Sequence, residues 1–198
     1  MQRAAFLDRD GVLNALVERD GKHLSPLQPM DFVLLPGAAK AVATLRCAGL
    51  LAIVVTNQPE IRRGRLSAAD LSRMHVRLEM ETMVSAIYVC PHDDCDNCVC
   101  RKPRPGMLQA AARDRGIDLA ASFVVGDSWK DIEAGHAVGC ATILLRDLKC
   151  EQVESSAEAV RATPEACVAS LSDAVEWILE KLAGVPPEFA PGNVLSRP

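Results

Sequence analysis

Three aspartates stand directly behind short apolar runs. Asp8 and Asp10 flank Arg9 after the run Ala4–Leu7, and Asp127 follows Ser122–Val125 and Gly126. Carboxylates this close repel one another unless a cation or a proton lies between them. Hard oxygen donors of this kind suit Mg²⁺, which takes one or two carboxylates and shares the rest of its shell with substrate phosphate. For Asp8 and Asp10 alone the alternative is an Asp-rich turn in which Gly11 supplies an unusual φ. Asp127 behind a second run favours the metal cradle. Thr56 and Asn57 close a third run, Leu50–Val55. They offer a hydroxyl and backbone N–H groups, donors that suit a phosphoryl oxygen. Lys102 stands near two prolines, Pro103 and Pro105, where a lysine can neutralise a phosphate as a point charge. Asp131, one helical turn after Asp127, has three readings: a partner that orients Lys102, a holder of metal-bound water, or a solvated helix-start carboxylate.

A second group of donors is more compact. Cys90, His92, Cys98 and Cys100 fall in eleven residues. Cys₃His is a closed tetrahedral zinc set with no open position for catalysis, so the expected role of Zn²⁺ is structural. A redox cluster or an unmetallated loop is the alternative. Cys95 is a surplus thiol inside the same loop, either a substitute ligand or free. Cys47, Cys140, Cys150 and Cys167 are scattered among apolar neighbours and are expected to be small buried hydrophobes. His23, His75 and His136 stand alone and are expected on helices or at the surface. Arg62, Arg63, Arg65, Arg101, Lys102 and Arg104 form two short basic segments, either a positive rim that steers an anionic substrate or a pair of solvated loops.

The elements that must position these groups alternate. The runs Ala4–Leu7, Leu50–Val55, Ala86–Val89, Ser122–Val125 and Ala141–Leu145 are continuous and apolar, as in a parallel sheet covered on both faces. Between them lie helical patterns. Ala38–Ala48 ends at Gly49, Pro105–Arg115 at Gly116, and Lys130–Val138 at Gly139. Ser67 and Asp70 have capping-box spacing and open a helix to about Met83. Leu171, Ala174, Val175, Ile178, Leu179 and Leu182 form the stripe of a helix packed on one face. The alternation predicts an α/β fold: a doubly wound, mostly parallel, Rossmann-like sheet. Ligands bind outside the carboxyl ends of such strands, which is where the polar groups above are found.

The chain has 198 residues and a net charge of −4, which fits one domain over 1–183 followed by an irregular, proline-rich tail over 184–198. An acidic chain is a poor general nucleic-acid binder. Its apolar runs are far shorter than the roughly 20 residues that cross a bilayer. The start carries no long apolar segment of a secretory signal. The expected partners are a small phosphorylated substrate, no nucleic acid and no membrane, with the chain a monomer in the cytoplasm.

Four segments resemble the ordered motifs of the haloacid dehalogenase superfamily: Phe6–Asn14, Val54–Gln58, Arg101–Pro103 and Val125–Asp131. The loop from Cys90 to Pro103 is similar to that of the zinc-containing branch, which holds D-glycero-D-manno-heptose-1,7-bisphosphate 7-phosphatases and histidinol-phosphatases. The six-residue interval from His92 to Cys98 is nearer the histidinol-phosphatases. Arg101–Met107, with Ile61, Arg63 and Gly64, sides with the heptose branch. The resemblance implies a Mg²⁺-dependent phosphatase of a small sugar phosphate, with histidinol phosphate or another polyol phosphate as the alternative substrate. A non-catalytic, zinc-stabilised binding protein is the rival from another class. By the same resemblance Asp8 is the nucleophile and Asp10 the general acid and base. Asp8, the Asp10 carbonyl and Asp127 hold Mg²⁺. Thr56 and Asn57 hold the phosphoryl group, Lys102 balances its charge and Arg101 reaches the substrate. Asp10 and Asn57 are only 47 positions apart, too few for a bulky cap, so the site is expected to be capless. The zinc loop is expected to be its nearest wall and the rigid base for Arg101 and Lys102.

Overall fold

The computed structural model describes residues 1–146 and 163–184. Cys150 and residues 185–198, nearly all of the expected tail, lie outside the described residues. In chain order the strands are β1 (Arg3–Leu7), β2 (Val17–Arg19), β3 (Lys22–Leu24), β4 (Leu50–Asn57), β5 (Ala86–Cys90), β6 (Phe123–Gly126), β7 (Ala141–Leu145) and β8 (Ala166–Val168). The helices are α1 (Ala38–Cys47), α2 (Pro59–Arg62), α3 (Ala68–Thr82), α4 (Gly106–Arg115), α5 (Trp129–His136) and α6 (Leu171–Ala183).

Six strands form one sheet in the order β5-β4-β1-β6-β7-β8, with every pairing parallel. The chain builds outward from β1 through β4 to β5, then returns to lay β6 on the other side of β1. The strand order therefore reverses between β1 and β6, the switch point at which such sheets bind ligands. Leu7 of β1 pairs with Val54 of β4 and Val125 of β6, so Asp8 and Asp127 emerge side by side.

Alternation along β1 explains the two cores. Ala5 and Leu7 point into one core, with Val54, Val125 and residues of α1, α3 and α6. Ala4 and Phe6 point into the other, with Ile53, Val55, Val124 and Met107, Leu108 and Ala111 of α4. Side chains of a strand alternate between faces, so a strand buried on both faces must be apolar throughout. The helices stop and start for local reasons. Ser67 Oγ accepts from the Asp70 N–H at the start of α3, and Ser170 Oγ from the Asp173 N–H at the start of α6. Gly116 and Gly184 end α4 and α6 in the left-handed conformation. The predicted stripe of α6 buries Leu171, Ala174, Val175 and Ile178, with Trp177 edge-on to Phe123 at 6.3 Å.

Three features go beyond the sequence reading, the four-residue helix α2 among them. β2 and β3 form an antiparallel ribbon around Asp20 and Gly21, in a stretch expected to be plain loop. β8 adds a sixth strand at the sheet edge. The expectation that the scattered cysteines are buried holds for Cys140 and fails for Cys47 and Cys167, which are exposed. Cys47 closes α1 and Cys167 is the middle residue of edge strand β8, positions at the margins of the described fold.

Candidate active site

The carboxyl ends of β1, β4 and β6 converge on a cleft of about 900 Å³. Asp8, Asp10, Thr56, Asn57, Arg101, Lys102 and Asp127 all line it. Lys102 is the hub. It is almost fully buried, and its Nζ lies 2.5 Å from Asp131 Oδ1 and 3.0 Å from Asp8 Oδ1. Nζ also donates to the Val55 carbonyl at 2.8 Å. Burial alone lowers the pKa of this ammonium, and the charges of Asp131 and Asp8 outweigh it, so Lys102 is held above its ordinary range. Burial pushes the Asp8 carboxyl up. Lys102 opposes that shift, and Asp131, Asp127 and Asp10 add to it. Desolvation in this crowded cluster, then the like charge of Asp131, pushes Asp127 up to about 7, again with Lys102 opposing.

Asp8, Asp127 and Asp131 each place a carboxylate oxygen within 4.8 Å of the others. Asp131 is committed to protein: its Oδ1 takes Lys102, and its Oδ2 takes the Ser128 hydroxyl at 2.7 Å and the Ser128 N–H at 3.3 Å. This decides between its readings, since a fully buried Asp131 that holds Lys102 is not a solvated carboxylate. Asp8 and Asp127 remain open toward the cleft. Gly11 makes their approach possible, because a Cβ there would fall 2.1 Å from Asp127 Oδ2. A divalent cation between two carboxylates that burial and neighbouring acids both hold above the ordinary range is the chemistry this donor set fits.

Asp10 is held on all sides. Its Oδ1 accepts from Arg9 Nε at 3.1 Å, Arg9 Nη2 at 2.9 Å and Asn14 Nδ2 at 2.9 Å. Its Oδ2 accepts from Gln58 Nε2 at 2.7 Å and Arg9 Nη2 at 3.1 Å. Gln58 Nε2 also donates to Thr56 Oγ1 at 2.8 Å. That bond fills an acceptor position on Thr56, so its hydroxyl proton is free to be donated into the cleft. The Asn57 side chain is committed to protein, which leaves the backbone N–H reading of this residue standing. Its side-chain amide pairs both ways with the backbone of Lys102, at 3.1 Å in each direction. Only its backbone is left for an anion.

The Cys/His loop is a separate centre. Cys90 Sγ lies 3.6 Å from His92 Nδ1, 3.6 Å from Cys98 Sγ and 3.3 Å from Cys100 Sγ. Cys100 Sγ lies 3.4 Å from Cys98 Sγ and 3.3 Å from His92 Nδ1. Disulfides bring sulfurs to about 2.05 Å, so these are not bonded pairs. Zinc–sulfur bonds of about 2.3 Å put tetrahedral neighbours about 3.8 Å apart, close to the spacing seen. Burial pushes the Cys90 thiol well up, so a thiolate at this position needs a cation beside it. Cys95 is exposed and outside the set. The four donors fit Zn²⁺.

With this geometry in hand, relatives are informative. A family model described as HAD-hydrolase-like matches residues 99–174. D-glycero-beta-D-manno-heptose-1,7-bisphosphate 7-phosphatase of Bordetella bronchiseptica is 38% identical over 146 residues, which is 71% of this chain and 79% of that protein. The alpha-heptose enzyme of Mycobacterium tuberculosis is 39% identical over 146 residues, 71% of this chain and 75% of its own. The crystal structure of the B. bronchiseptica D,D-heptose 1,7-bisphosphate phosphatase, complexed with magnesium and phosphate, superposes with a TM-score of 0.72 at 32% identity, covering 91% of this chain and 99% of that one. The chain belongs to the haloacid dehalogenase-like phosphatases. It is a phosphoric monoester hydrolase of the heptose-bisphosphatase branch.

The phosphatase differs from its sequence reading in what walls the cleft. Among the described residues Cys90, His92, Cys98 and Cys100 do not line it. The walls are the β2–β3 ribbon, through Arg19, Lys22 and His23, the segment from Pro59 to Arg65, and Trp129 with Lys130. Of the two readings of the basic segments, the positive rim is the one that pairing undercuts. Arg63 binds Asp93 at 2.6 Å and Glu60 at 2.7 Å, Arg62 reaches Asp96 at 3.2 Å, and Arg101 reaches Asp94 at 2.6 Å. Asp93, Asp94 and Asp96 belong to the Cys/His loop, so the arginines fasten that loop to the phosphatase, while Glu60 is a neighbour on α2. Arg101 nevertheless faces the cleft. Sequence reasoning gave no role to Arg9, Asn14, Gln58 or Asp94, and read His75 only as a helix or surface histidine, which its place on α3 fits. Gln58 had a signal, since it continues the Thr56–Asn57 strand end. Arg9 had one too, as a cation between two carboxylates. His75 and Asp94 meet their partners only through the fold.

Proposed function

We propose that this phosphatase removes the 7-phosphate of a D-glycero-D-manno-heptose 1,7-bisphosphate through an aspartyl-phosphate on Asp8. The observation that carries the reading is the pairing of Asp8 with the buried Lys102 at the switch point, beside Asp127 and a fixed Asp10. Asp8 Oδ attacks phosphorus, the bond from phosphorus to the ester oxygen breaks, and Asp10 gives its proton to the departing alkoxide. Asp10 then takes a proton from water as that water attacks the acyl-phosphate, which frees phosphate and restores Asp8. Thr56 Oγ1 and the Asn57 backbone hold the phosphoryl oxygens, and Lys102 offsets their charge. Asp8, the Asp10 carbonyl and Asp127 would hold Mg²⁺, which supplies further charge neutralisation to the transferring group. Cys90, His92, Cys98 and Cys100 would hold a structural Zn²⁺.

The substrate rests on the relatives and on the cleft. A volume near 900 Å³ exceeds the needs of a phosphoryl group, and Lys22, Arg65 and Lys130 lie along it for a second anionic group. We read residues 1–183 as one catalytic domain acting as a monomer. A phosphate-release screen over heptose 1,7-bisphosphates, other sugar phosphates and histidinol phosphate, with Mg²⁺ and with EDTA, tests the proposal. The expected result is fastest release of one phosphate from a heptose bisphosphate, abolished by EDTA. Preference for histidinol phosphate, or turnover independent of the divalent cation, would overturn it.

A further inference from the structure

Arg9 is fully buried in a chain whose other arginines are mostly at the surface. A buried guanidinium gives up its hydration and is tolerated only where its donors are matched. Here they are matched by few groups, each in a fixed place. Nε and Nη2 grip both oxygens of Asp10. Nη1 lies 3.1 Å from Nε2 of His75, on α3. The face of the guanidinium covers the Phe32 ring at 5.7 Å. An arginine donates and cannot accept, so His75 Nε2 must be the acceptor and the ring proton sits on Nδ1. Burial, then the Arg9 charge, lower the His75 pKa to about 4, which keeps the ring neutral.

The line therefore runs from α3 through His75 and Arg9 to Asp10. Asn14 and Gln58 bind the same carboxylate from the other sides. A carboxylate held through both oxygens cannot rotate without breaking several bonds at once. We infer that Arg9 and His75 are positioning residues that hold the Asp10 carboxylate in line with the departing ester oxygen. This rests on the reading of Asp10 as general acid. His75 does so at a distance: with no acceptor at Nη1, the Arg9 fork loses one of its fixed partners and its grip on Asp10 is less sharply aimed.

Leaving-group chemistry separates positioning from mere support. An alkoxide needs its proton from Asp10, whereas p-nitrophenolate departs largely without one. The measured quantity is kcat/KM, which covers the steps through departure of the leaving group. His75→Leu removes the acceptor, and His75→Gln restores one at a similar reach. His75→Leu is expected to lower kcat/KM about tenfold with a sugar phosphate and less than about twofold with p-nitrophenyl phosphate, with the sugar phosphate's KM little changed. His75→Gln is expected to regain most of the loss. If His75→Leu does not fold, His75→Asn keeps the site polar while falling short of Arg9, and should show the same split. Equal losses on both substrates, no loss on either, or a His75→Gln as impaired as His75→Leu would overturn the inference. Asp10→Asn, run beside them, must show a still larger split. If it shows none, the general-acid reading of Asp10 has failed. If it shows the split and the His75 variants do not, only the present inference has failed.

Discussion

Asn57 and Lys102 are joined by two hydrogen bonds between one side chain and one backbone. Asn57 Nδ2 donates to the Lys102 carbonyl and Asn57 Oδ1 accepts from the Lys102 N–H, both at 3.1 Å. The pair ties the end of β4 to the segment that follows the zinc loop. It decides where the Lys102 side chain starts, and Asp131 and Asp8 decide where it ends. Asn57→Ala leaves two backbone groups unpaired in a partly buried place, at a cost of about 1–3 kcal/mol. The expected outcome is a lower melting temperature and a fall in kcat of about a hundredfold, since removing a well-placed charge or donor commonly has that effect. Steady-state kinetics with a melting curve checks both. A variant with normal kcat would show that Lys102 needs no such clamp.

Asp8→Asn should abolish turnover and leave the fold intact. Asparagine is nearly isosteric and still accepts from the Arg9 N–H, which now donates to Asp8 Oδ1 at 2.7 Å. It is a poor nucleophile, and it removes the charge that faces Lys102. Because Lys102 keeps Asp131 at 2.5 Å, the cation is not orphaned and the melting temperature should change little. More than about one per cent of the wild-type rate would refute nucleophilic catalysis by Asp8, because that step must supply several kcal/mol of barrier lowering.

These expectations were open to sequence reading to different degrees. Asp8, Thr56 and Asp127 were legible because a buried parallel strand is an uninterrupted apolar run, and its first polar residue marks the carboxyl end. The helices other than the four-residue α2 were legible to within a residue or two, from Gly49, Ser67, Gly116, Gly139 and the α6 stripe. β2, β3 and β8 were not. Each has three residues, too few for a period to register, and only the Asp20–Gly21 pair marks the ribbon. The partners of Arg9 were hidden for another reason. His75 is 66 positions away, and nothing in local spacing brings it to β1. The positive rim misled because charge was counted without pairing: Asp93, Asp94 and Asp96 supply the counter-charges from across the chain.

Gly11 offers a test of the metal cradle that leaves every donor in place. Its φ is +82°, a conformation that side chains rarely adopt, and a Cβ would press on Asp127 Oδ2 at 2.1 Å. In Gly11→Ala the flexible carboxylate must give way. The strained φ costs about 1–2 kcal/mol. Displacing one of two carboxylates should raise the Mg²⁺ concentration for half-maximal activity at least about tenfold, the scale of disturbing a ligand's support. Titrating activity with Mg²⁺ measures it. An unchanged half-saturation point would show that Asp127 does not bind the cation.

Zinc should matter to substrate binding more than to the phosphoryl step. A closed Cys₃His set leaves no position for phosphate. The sequence alone makes the loop the base for both Arg101 and Lys102, but the structure separates the two. Lys102 is held by Asn57, the Val55 carbonyl, Asp131 and Asp8, none of them in the loop. Arg101 is held by Asp94 and by the His92 carbonyl, both in it. Arg63, which faces the cleft, leans on Asp93 of the same loop. Cys98→Ser should therefore reduce zinc from one ion per chain to well below it, release Arg101 and Arg63, and leave the Lys102 cluster standing. The expected kinetics are a KM for the sugar bisphosphate raised about tenfold, a kcat within about threefold, and an unchanged Mg²⁺ requirement. Cys95→Ser should keep the metal, because Cys95 is outside the set. Elemental analysis of each variant, with steady-state kinetics, reads these outcomes. A Cys98→Ser enzyme that loses kcat rather than substrate affinity would mean that zinc does support Lys102, and that the four anchors are insufficient without it.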